Sequence, residues 1–341
     1  MASSSPPRRI LIVRLSHLGD VCHALPLYHA LRRTYPDAEL GWAIQPAFAD
    51  LVRPLPDMGP VFLFDRRGGL AAWIRLRREL HRWQPDWTMD AQGNWKSAWV
   101  TRLSGANRRL GFHKRDWQEP LASWVLTEQA VQARGKHCIQ RVHQLVQHIA
   151  PGCNASPHHL PLTTQVRAEG AASLNKRLPD RGRPRRLIHP GRQGDPRSLP
   201  LDNLEQMIRT LTQAGEDVLL ISGPAETSSG EKLAQRLAAV DGVQHWINKR
   251  GLQHYAAFFA AARDEGLRLA VGDSGPAHLA AAVNLGVDLW VGPTDACATG
   301  PWPLVSSPDT IHTAHRSPSG NISDLRGEQL ARTLLKSVLC P

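Results

Sequence analysis

No stretch of this chain approaches the roughly 18 consecutive apolar residues that a membrane-crossing helix needs, so a spanning segment is excluded. Cysteine is sparse. Cys22, Cys138, Cys153, Cys297 and Cys340 stand far apart without a C-x-x-C pair, which argues against a disulfide framework or a cysteine-based zinc site and for reduced thiols. The N-terminus, MASSSPPRR, lacks the apolar core of a secretory leader, so a cytoplasmic location is expected. No G-x-G-x-x-G follows the first apolar run, where a dinucleotide-dependent oxidoreductase would carry it. Nor does a zinc-finger, RNP or helix-turn-helix pattern accompany the basic residues.

Positive charge, by contrast, is abundant. Lysine and arginine number 41 against 30 acids, a net +11, and the pI is near 10. An anionic partner follows, and nucleic acid, an acidic membrane surface or a phosphorylated lipid head group would each satisfy it. At 341 residues the chain is long enough for two domains of roughly 150 to 170 residues. Eleven tryptophans are many, and most are expected in core or rim packing.

Residues 8–27, RRILIVRLSHLGDVCHALPL, organise the rest. The apolar run over 9–15 suits a strand buried on both faces of a parallel sheet. It breaks at 16–20, and helical spacing resumes from Val21. A strand-loop-helix junction of this kind puts its loop at the carboxyl edge of the sheet, where open α/β folds bind ligands. Asp20 sits at or just inside the helix start. It is either a first-turn acid favoured by the helix dipole or a carboxylate placed to take a proton; spacing does not decide.

Further strands are expected at 38–45, 61–65 and 86–93, with an amphipathic helix at 68–83. Residues 151–184 read as a linker with one helix, 167–178. A second alternating set follows, with strands at 186–189, 217–222, 243–248, 267–271 and 287–291 and helices at 201–214, 227–240, 252–263 and 277–285, which argues for a second parallel sheet. Three strand ends in this half could hold an anion. They are His189-Pro190-Gly191-Arg192 with Arg197, Ser222-Gly223, and Asp273-Ser274-Gly275 opening an alanine-rich helix.

Several of these segments resemble the glycosyltransferase family that contains the bacterial lipopolysaccharide heptosyltransferases. The family's first loop has the form S-x-x-G-D-x-x-x-x-x-P, met here by Ser16, Gly19, Asp20 and Pro26. Asp90, Gln92, Gly93, Lys96, Ser97 and Gly111 keep its next pattern. Residues 116–146 are closest to the heptosyltransferase I branch, with D-W-Q, E-P-L-A-S and H-x-x-x-R in order, although a few residues between the first two are missing, a basic acceptor-holding one among them. D-[ST]-G-x-x-H-L-A-A-A followed by G-P-T-D is matched through Asp273, Ser274, Gly275, His278 and Leu279, then 292–295. At Arg197-Ser198-Leu199-Pro200 a leucine replaces the tryptophan of the family's W-P pair.

The resemblance implies an α/β chain of the GT-B architecture, two Rossmann-like parallel-sheet domains facing across a cleft. Residues 1–160 would bind acceptor, 161–320 would bind nucleotide sugar, and 321–341 would form a C-terminal helix packing back on the first domain. It implies Asp20 as catalytic base. Arg192, Arg197, Gly223, Asp273, Ser274, Gly275 and His278 would bind the donor, and Ser16, Arg66, Arg67, Gln92, Lys96, His137 and Arg141 the acceptor. The four-residue spacing of His137 and Arg141 puts both on one helix face, where a solvated polar stripe is the other reading. The expected reaction is an inverting transfer of a sugar, a heptose from ADP-heptose, onto a lipopolysaccharide inner core or related anionic glycolipid at the inner membrane surface. Other nucleotide sugars (UDP- or GDP-linked) and acceptors stay open. No cofactor or metal is expected, since the chain contains no D-x-D triplet and His278 has no second ligand at metal spacing. A monomer that binds no nucleic acid completes the expectation.

Overall fold

The structure, a computed structural model, describes residues 6–135, 137–152, 158–303 and 311–337. The start of the polar N-terminal tail, Cys153 and Cys340 lie outside the described residues. The chain divides into two compact units, Met1–Pro161 and Leu162–Pro341.

The first unit is a six-stranded parallel sheet in the order β3-β2-β1-β4-β5-β6, built from β1 (Arg9–Val13), β2 (Glu39–Ile44), β3 (Met58–Leu63), β4 (Trp87–Asp90), β5 (Arg108–Gly111) and β6 (Glu128–Gln129). Ile10, Leu11, Ile12 and Val13 of the central β1 are fully buried, as an unbroken apolar run requires. The expected single first helix is two, α1 (Leu18–His23) and α2 (Leu25–Thr34), with Pro26 tolerated in the first turn of α2. β3 starts three residues before its apolar stretch, through Gly59 and Pro60; an edge strand accepts proline because one side of its ladder is unpaired. Of the remaining helices α3 (Ala49–Val52), α4 (Gly69–Trp83), α5 (Trp95–Leu103) and α6 (Ile139–Ile149), α4 and α5 cover one face of the sheet. There Leu76, Leu80 and Val100 pack on Leu11, Val13 and Leu15.

The second unit repeats the plan in the order β12-β11-β10-β7-β8-β9. Its strands are β7 (Arg185–Ile188), β8 (Asp217–Ser222), β9 (Val243–Ile247), β10 (Arg268–Gly272), β11 (Gly286–Val291) and β12 (Thr313–Arg316). Its helices are α7 (Thr164–Arg177), α8 (Leu201–Gln213), α9 (Thr227–Arg236), α10 (Leu252–Asp264), α11 (Gly275–Ala282), α12 (Ala296–Thr299) and α13 (Gly327–Ser337). Helices α7 and α10 meet backbone to backbone: a Cβ on Gly170 would lie 2.3 Å from the carbonyl oxygen of Ala257, so nothing larger than glycine fits.

The C-terminal helix was expected to return to the first domain. Instead α13 spends its apolar face within the second unit, where Leu330, Ala331 and Leu334 join Leu204, Met207, Ile208 and Leu211 of α8 in one core. Beneath that core lies a buried ionic cluster. Arg186 grips Glu216 with two bonds (2.9 and 3.1 Å), reaches Asp288 at 3.2 Å, and donates to the Leu334 carbonyl at 3.3 Å. Arg268 closes on the other side of Asp288 (2.8 and 3.0 Å). Burial pushes the Asp288 carboxyl up, but His315, Arg268 and Arg186 outweigh it and hold it at about 2.

Candidate active site

At the carboxyl end of β1 the chain turns through Leu15 and Ser16 into α1, which brings Asp20 into that helix's first turn. The turn depends on His17, whose φ of 63° and ψ of 127° fall where a side chain is disfavoured. Arg14, buried at the end of the strand, points its guanidinium two ways. One nitrogen donates to the Ala91 carbonyl after β4, and another meets Asp20 Oδ1 at 2.6 Å. His17 Nδ1 stands 3.4 Å from the second oxygen. Burial raises the Asp20 carboxyl, yet Arg14 and His17 together overcome it and hold the group at about 2. Asp20 is therefore ionised at every pH the protein meets. Because its folded value lies below the ordinary 3.8, its contribution to stability, about 2 kcal/mol, is complete above that value and lost as pH falls toward 2.

The loop is tied to β4 by Gln92, which accepts the Leu15 N–H at 2.6 Å and donates to Ser16 Oγ at 3.3 Å. Asp90 in turn shapes the Gln92 loop, accepting the N–H groups of Gln92 (3.0 Å) and Gly93 (2.9 Å) and the Thr101 hydroxyl (3.1 Å). Its own carboxyl is pushed up by complete burial, against the pull of those bonds. Ser16, Asp20 and Gln92, three of the expected residues, thus share one hydrogen-bonded assembly.

The other expected acceptor residues are spread wider. Arg66 and Arg67 are exposed beyond the end of β3, two strand positions from β1 and so about 10 Å away along the same edge. Lys96 is exposed on the first turn of α5. The shared helix face of His137 and Arg141 does not exist, because α6 begins at Ile139. His137 precedes that helix and is 1% exposed, its ring edge-on to His23 at 5.2 Å between centroids. Cys138 Sγ lies 3.0 Å from His23 Nδ1, and ligand atoms of His23, His137 and Cys138 all fall within 4.8 Å of one another. Burial, with the nearby Asp20 charge, pushes the Cys138 thiol up to about 11, so the group is a neutral S–H and the 3.0 Å contact is a thiol–imidazole hydrogen bond. The sequence reading missed this cluster, one helical turn beyond Asp20, because neither His23 nor Cys138 belongs to a motif with an assigned task.

In the second unit the loop after β7 makes a compact turn. Gly191, at φ 72°, receives the Ser198 side chain where its own Cβ would be (Oγ at 2.3 Å), and its N–H donates to His189 Nδ1 at 3.2 Å. His189 is driven down to about 4 by burial and is neutral. Arg197 is forked onto Asp195 (3.0 and 2.7 Å), which lowers that carboxyl and raises the guanidinium. Gly272 at the end of β10 packs on the Arg197 backbone, its Cβ position 2.4 Å from the carbonyl oxygen. Asp273 is buried, accepts the Thr299 hydroxyl at 2.9 Å, and lies 3.8 Å from His278 Nε2. Ser274 precedes α11 with its side chain turned back to the Gly272 carbonyl (3.1 Å), so the first N–H groups of α11 receive no side-chain cap. Arg197 and Asp273 are close enough for their charges to interact. Gly223 faces Glu226 on the other side of β7.

A cavity of about 420 Å³ opens against the loop that carries Arg192, with Pro293, Asn321 and Ser323 on its far wall. Asp273, Ser274 and His278 do not line it. Residues 320–323 had no sequence signal beyond their turn-forming glycine and asparagine. Leu199, the residue that departs from the W-P pattern, is buried beside Leu204 and Trp290 and serves as core.

The family model described as Glycosyltransferase family 9 (heptosyltransferase) matches residues 73–319. Lipopolysaccharide heptosyltransferase 1 of Pseudomonas aeruginosa is 29% identical over 301 residues, 86% of this chain and 81% of that protein. The enzyme of the same name from Escherichia coli K12 is 27% identical over 301 residues, covering 84% and 88%. Among solved structures, E. coli heptosyltransferase WaaC with ADP superposes with a TM-score of 0.75 at 23% identity, over 96% of this chain and 99% of that one. The fold is that of the GT-B enzymes, two Rossmann-like parallel-sheet units.

Proposed function

Because the chain belongs to glycosyltransferase family 9 and is a glycosyltransferase, we propose that it moves a heptose from ADP-heptose onto the inner core of lipopolysaccharide or a related anionic glycolipid, with inversion at the anomeric carbon. One observation supports the chemistry above the rest: a permanently ionised carboxylate, Asp20, fixed by Arg14 at the carboxyl edge of the first sheet. Asp20 takes the proton of the acceptor hydroxyl as that oxygen attacks the face opposite the nucleotide. A carboxylate held at about 2 is a weak base toward a free hydroxyl. It becomes competent once the oxygen has begun to bond to an oxocarbenium-like carbon and has turned strongly acidic, so proton transfer is late. Ser16 and Gln92 orient the acceptor, and Arg66, Arg67, Lys96 and Arg141 meet its anionic groups.

In the second unit Arg192, Arg197 and the N–H groups of Ser274 and Gly275 neutralise the departing diphosphate, the electrostatic contribution that usually dominates such sites. Asp273, with His278 and Gly223, positions the sugar nucleotide. No metal is assigned a part, since the chain has no D-x-D triplet. The curated relatives are named for lipopolysaccharide, and WaaC was solved with ADP, which supports the choice of sugar, nucleotide and acceptor. In this reading the protein works as a monomer on the cytoplasmic side, at the surface of the membrane that would hold its acceptor.

The test is donor choice and turnover together. ADP should raise the melting temperature more than UDP or GDP, and ADP-heptose with a heptose-deficient inner-core acceptor should release ADP. Arg197→Ala should weaken ADP binding about tenfold or more, the worth of one charge-assisted contact, with little change in the apo melting temperature. Equal shifts from all three nucleotides, or no product, would overturn the assignment.

Arg14 offers a second check. In Arg14→Met the strongest of the charges that offset burial is gone, so Asp20 titrates above the wild-type value of about 2. The reaction needs the ionised form. The wild-type pH profile of kcat/KM should therefore stay flat on the acid side, while the variant loses about tenfold per pH unit below its raised value. A variant profile as flat as the wild type, with the Asp20 carboxyl shown by NMR titration to have risen into the assayed range, would show that Asp20 is not the base.

A further inference from the structure

We infer that the surface formed by α4, α5 and the 3₁₀ segment Pro120–Val125 docks the first unit on an anionic lipid bilayer. The inference rests on the glycolipid acceptor proposed above and names the surface that would meet the membrane holding it.

Large apolar side chains left in water concentrate on these three elements. Leu70 and Ile74 are exposed on α4, Trp95 and Trp99 on α5, and Leu121 (81%) and Trp124 (57%) on the 3₁₀ segment. Each pair presents one face. Residues four apart are neighbours on an α-helix, and residues three apart eclipse in a 3₁₀ helix. Helix α5 touches both other elements, and the rings of Trp99 and Trp124 meet edge-on with centroids 6.3 Å apart. Large exposed apolar side chains gathered on touching elements mark an interaction surface. Tryptophan is the side chain enriched where protein meets lipid head groups, because its body is apolar and its N–H is wet. Crossover helices run against their strands, so the pairs on α4 and α5, in the first two turns, lie beside the carboxyl edge that carries Asp20.

Charge selects the occupant. Residues 66–125 hold twelve Lys and Arg against five Asp and Glu, a net +7 of the chain's +11. Arg77 and Arg78 extend the apolar stripe of α4, and Arg102 extends that of α5, one helical turn on. None of these three, nor Lys114 and Arg115, has a carboxylate within 4.0 Å among the described residues, whereas Arg108, Arg186 and Arg268 are paired. A second copy of this chain would set like charge against like. A bilayer with acidic head groups takes the tryptophans and neutralises the arginines at once.

The full chain is sedimented with phosphatidylcholine vesicles, with and without phosphatidylglycerol. Binding should need the anionic lipid and weaken with salt. Trp99→Ser with Trp124→Ser, and separately Arg77→Glu with Arg78→Glu, should each cut partitioning by about tenfold or more. Both pairs should keep the wild-type rate on a delipidated, soluble acceptor. Partitioning of either variant like wild type, equal binding to neutral vesicles, or a change of oligomeric state in place of vesicle binding overturns the inference. If vesicle binding follows the pattern while no soluble acceptor is turned over, the docking surface stands and the transferase reading falls.

Discussion

Asp20→Asn should lower kcat by about 10³, within the 10² to 10⁴ that a positioned base contributes, while ADP affinity stays within about twofold of wild type. Asparagine keeps the size and one acceptor oxygen for Arg14 but cannot carry off a proton. Removing the charge also removes about 2 kcal/mol of stabilisation, so melting must be measured beside turnover. A folded variant with near-normal kcat would end the base assignment. A matched loss of ADP binding and kcat would make Asp20 a structural residue at the start of α1. Substituting alanine gives a second reading, since acetate or formate in the vacated space could return part of the rate, which a merely structural loss would not allow.

Arg186→Met should cost about 3 to 5 kcal/mol, a large share of the roughly 5 to 15 kcal/mol that holds a domain folded. The methionine fills most of the volume, so the loss comes from charge. Glu216 and Asp288 would remain buried, with Asp288 keeping Arg268 and Glu216 left without an ionic partner among the described residues. Urea denaturation of the variant, compared with a double change that also neutralises Glu216 and leaves the Arg268–Asp288 pair in place, separates the two contributions. If the cluster matters for its pairing, the double variant should recover most of the stability, because a well-filled neutral replacement of a buried ion pair is often no worse. A single variant within about 1 kcal/mol of wild type would refute the pairing.

The strands could be read wherever several apolar residues run together, as in β1, β8 and β11, because burial on both faces of a parallel sheet leaves an unbroken signature. β12 could not. Its TAHR sequence, half exposed, has neither an apolar run nor alternation, and it pairs only as an edge. Asp20 was expected at or just inside the helix start and lies in the first turn of α1, but the exact start at Leu18 carried no signal, because the turn is made by His17 at positive φ with no capping side chain. A missing start signal also put His137 on a helix. The H-x-x-x-R spacing is helical, but the backbone enters the helix only after Cys138. Arg14 was the available clue to the Asp20 pair. An arginine closing an otherwise apolar buried strand must find a carboxylate, and the nearest acid in sequence is Asp20. The cavity wall at 321–323 carried no comparable clue, since it is assembled from a loop after an unseen strand.

The ties from Leu15 to Gln92 and from Arg14 to Ala91 each span 77 positions. Closing so long a segment costs chain entropy before the contact returns anything. As the polypeptide leaves the ribosome, the amino-terminal turn therefore stays loose until β4 has emerged and docked beside β1. The order of synthesis thus makes the Asp20 carboxylate wait for the fourth strand of its sheet before it acquires a fixed position.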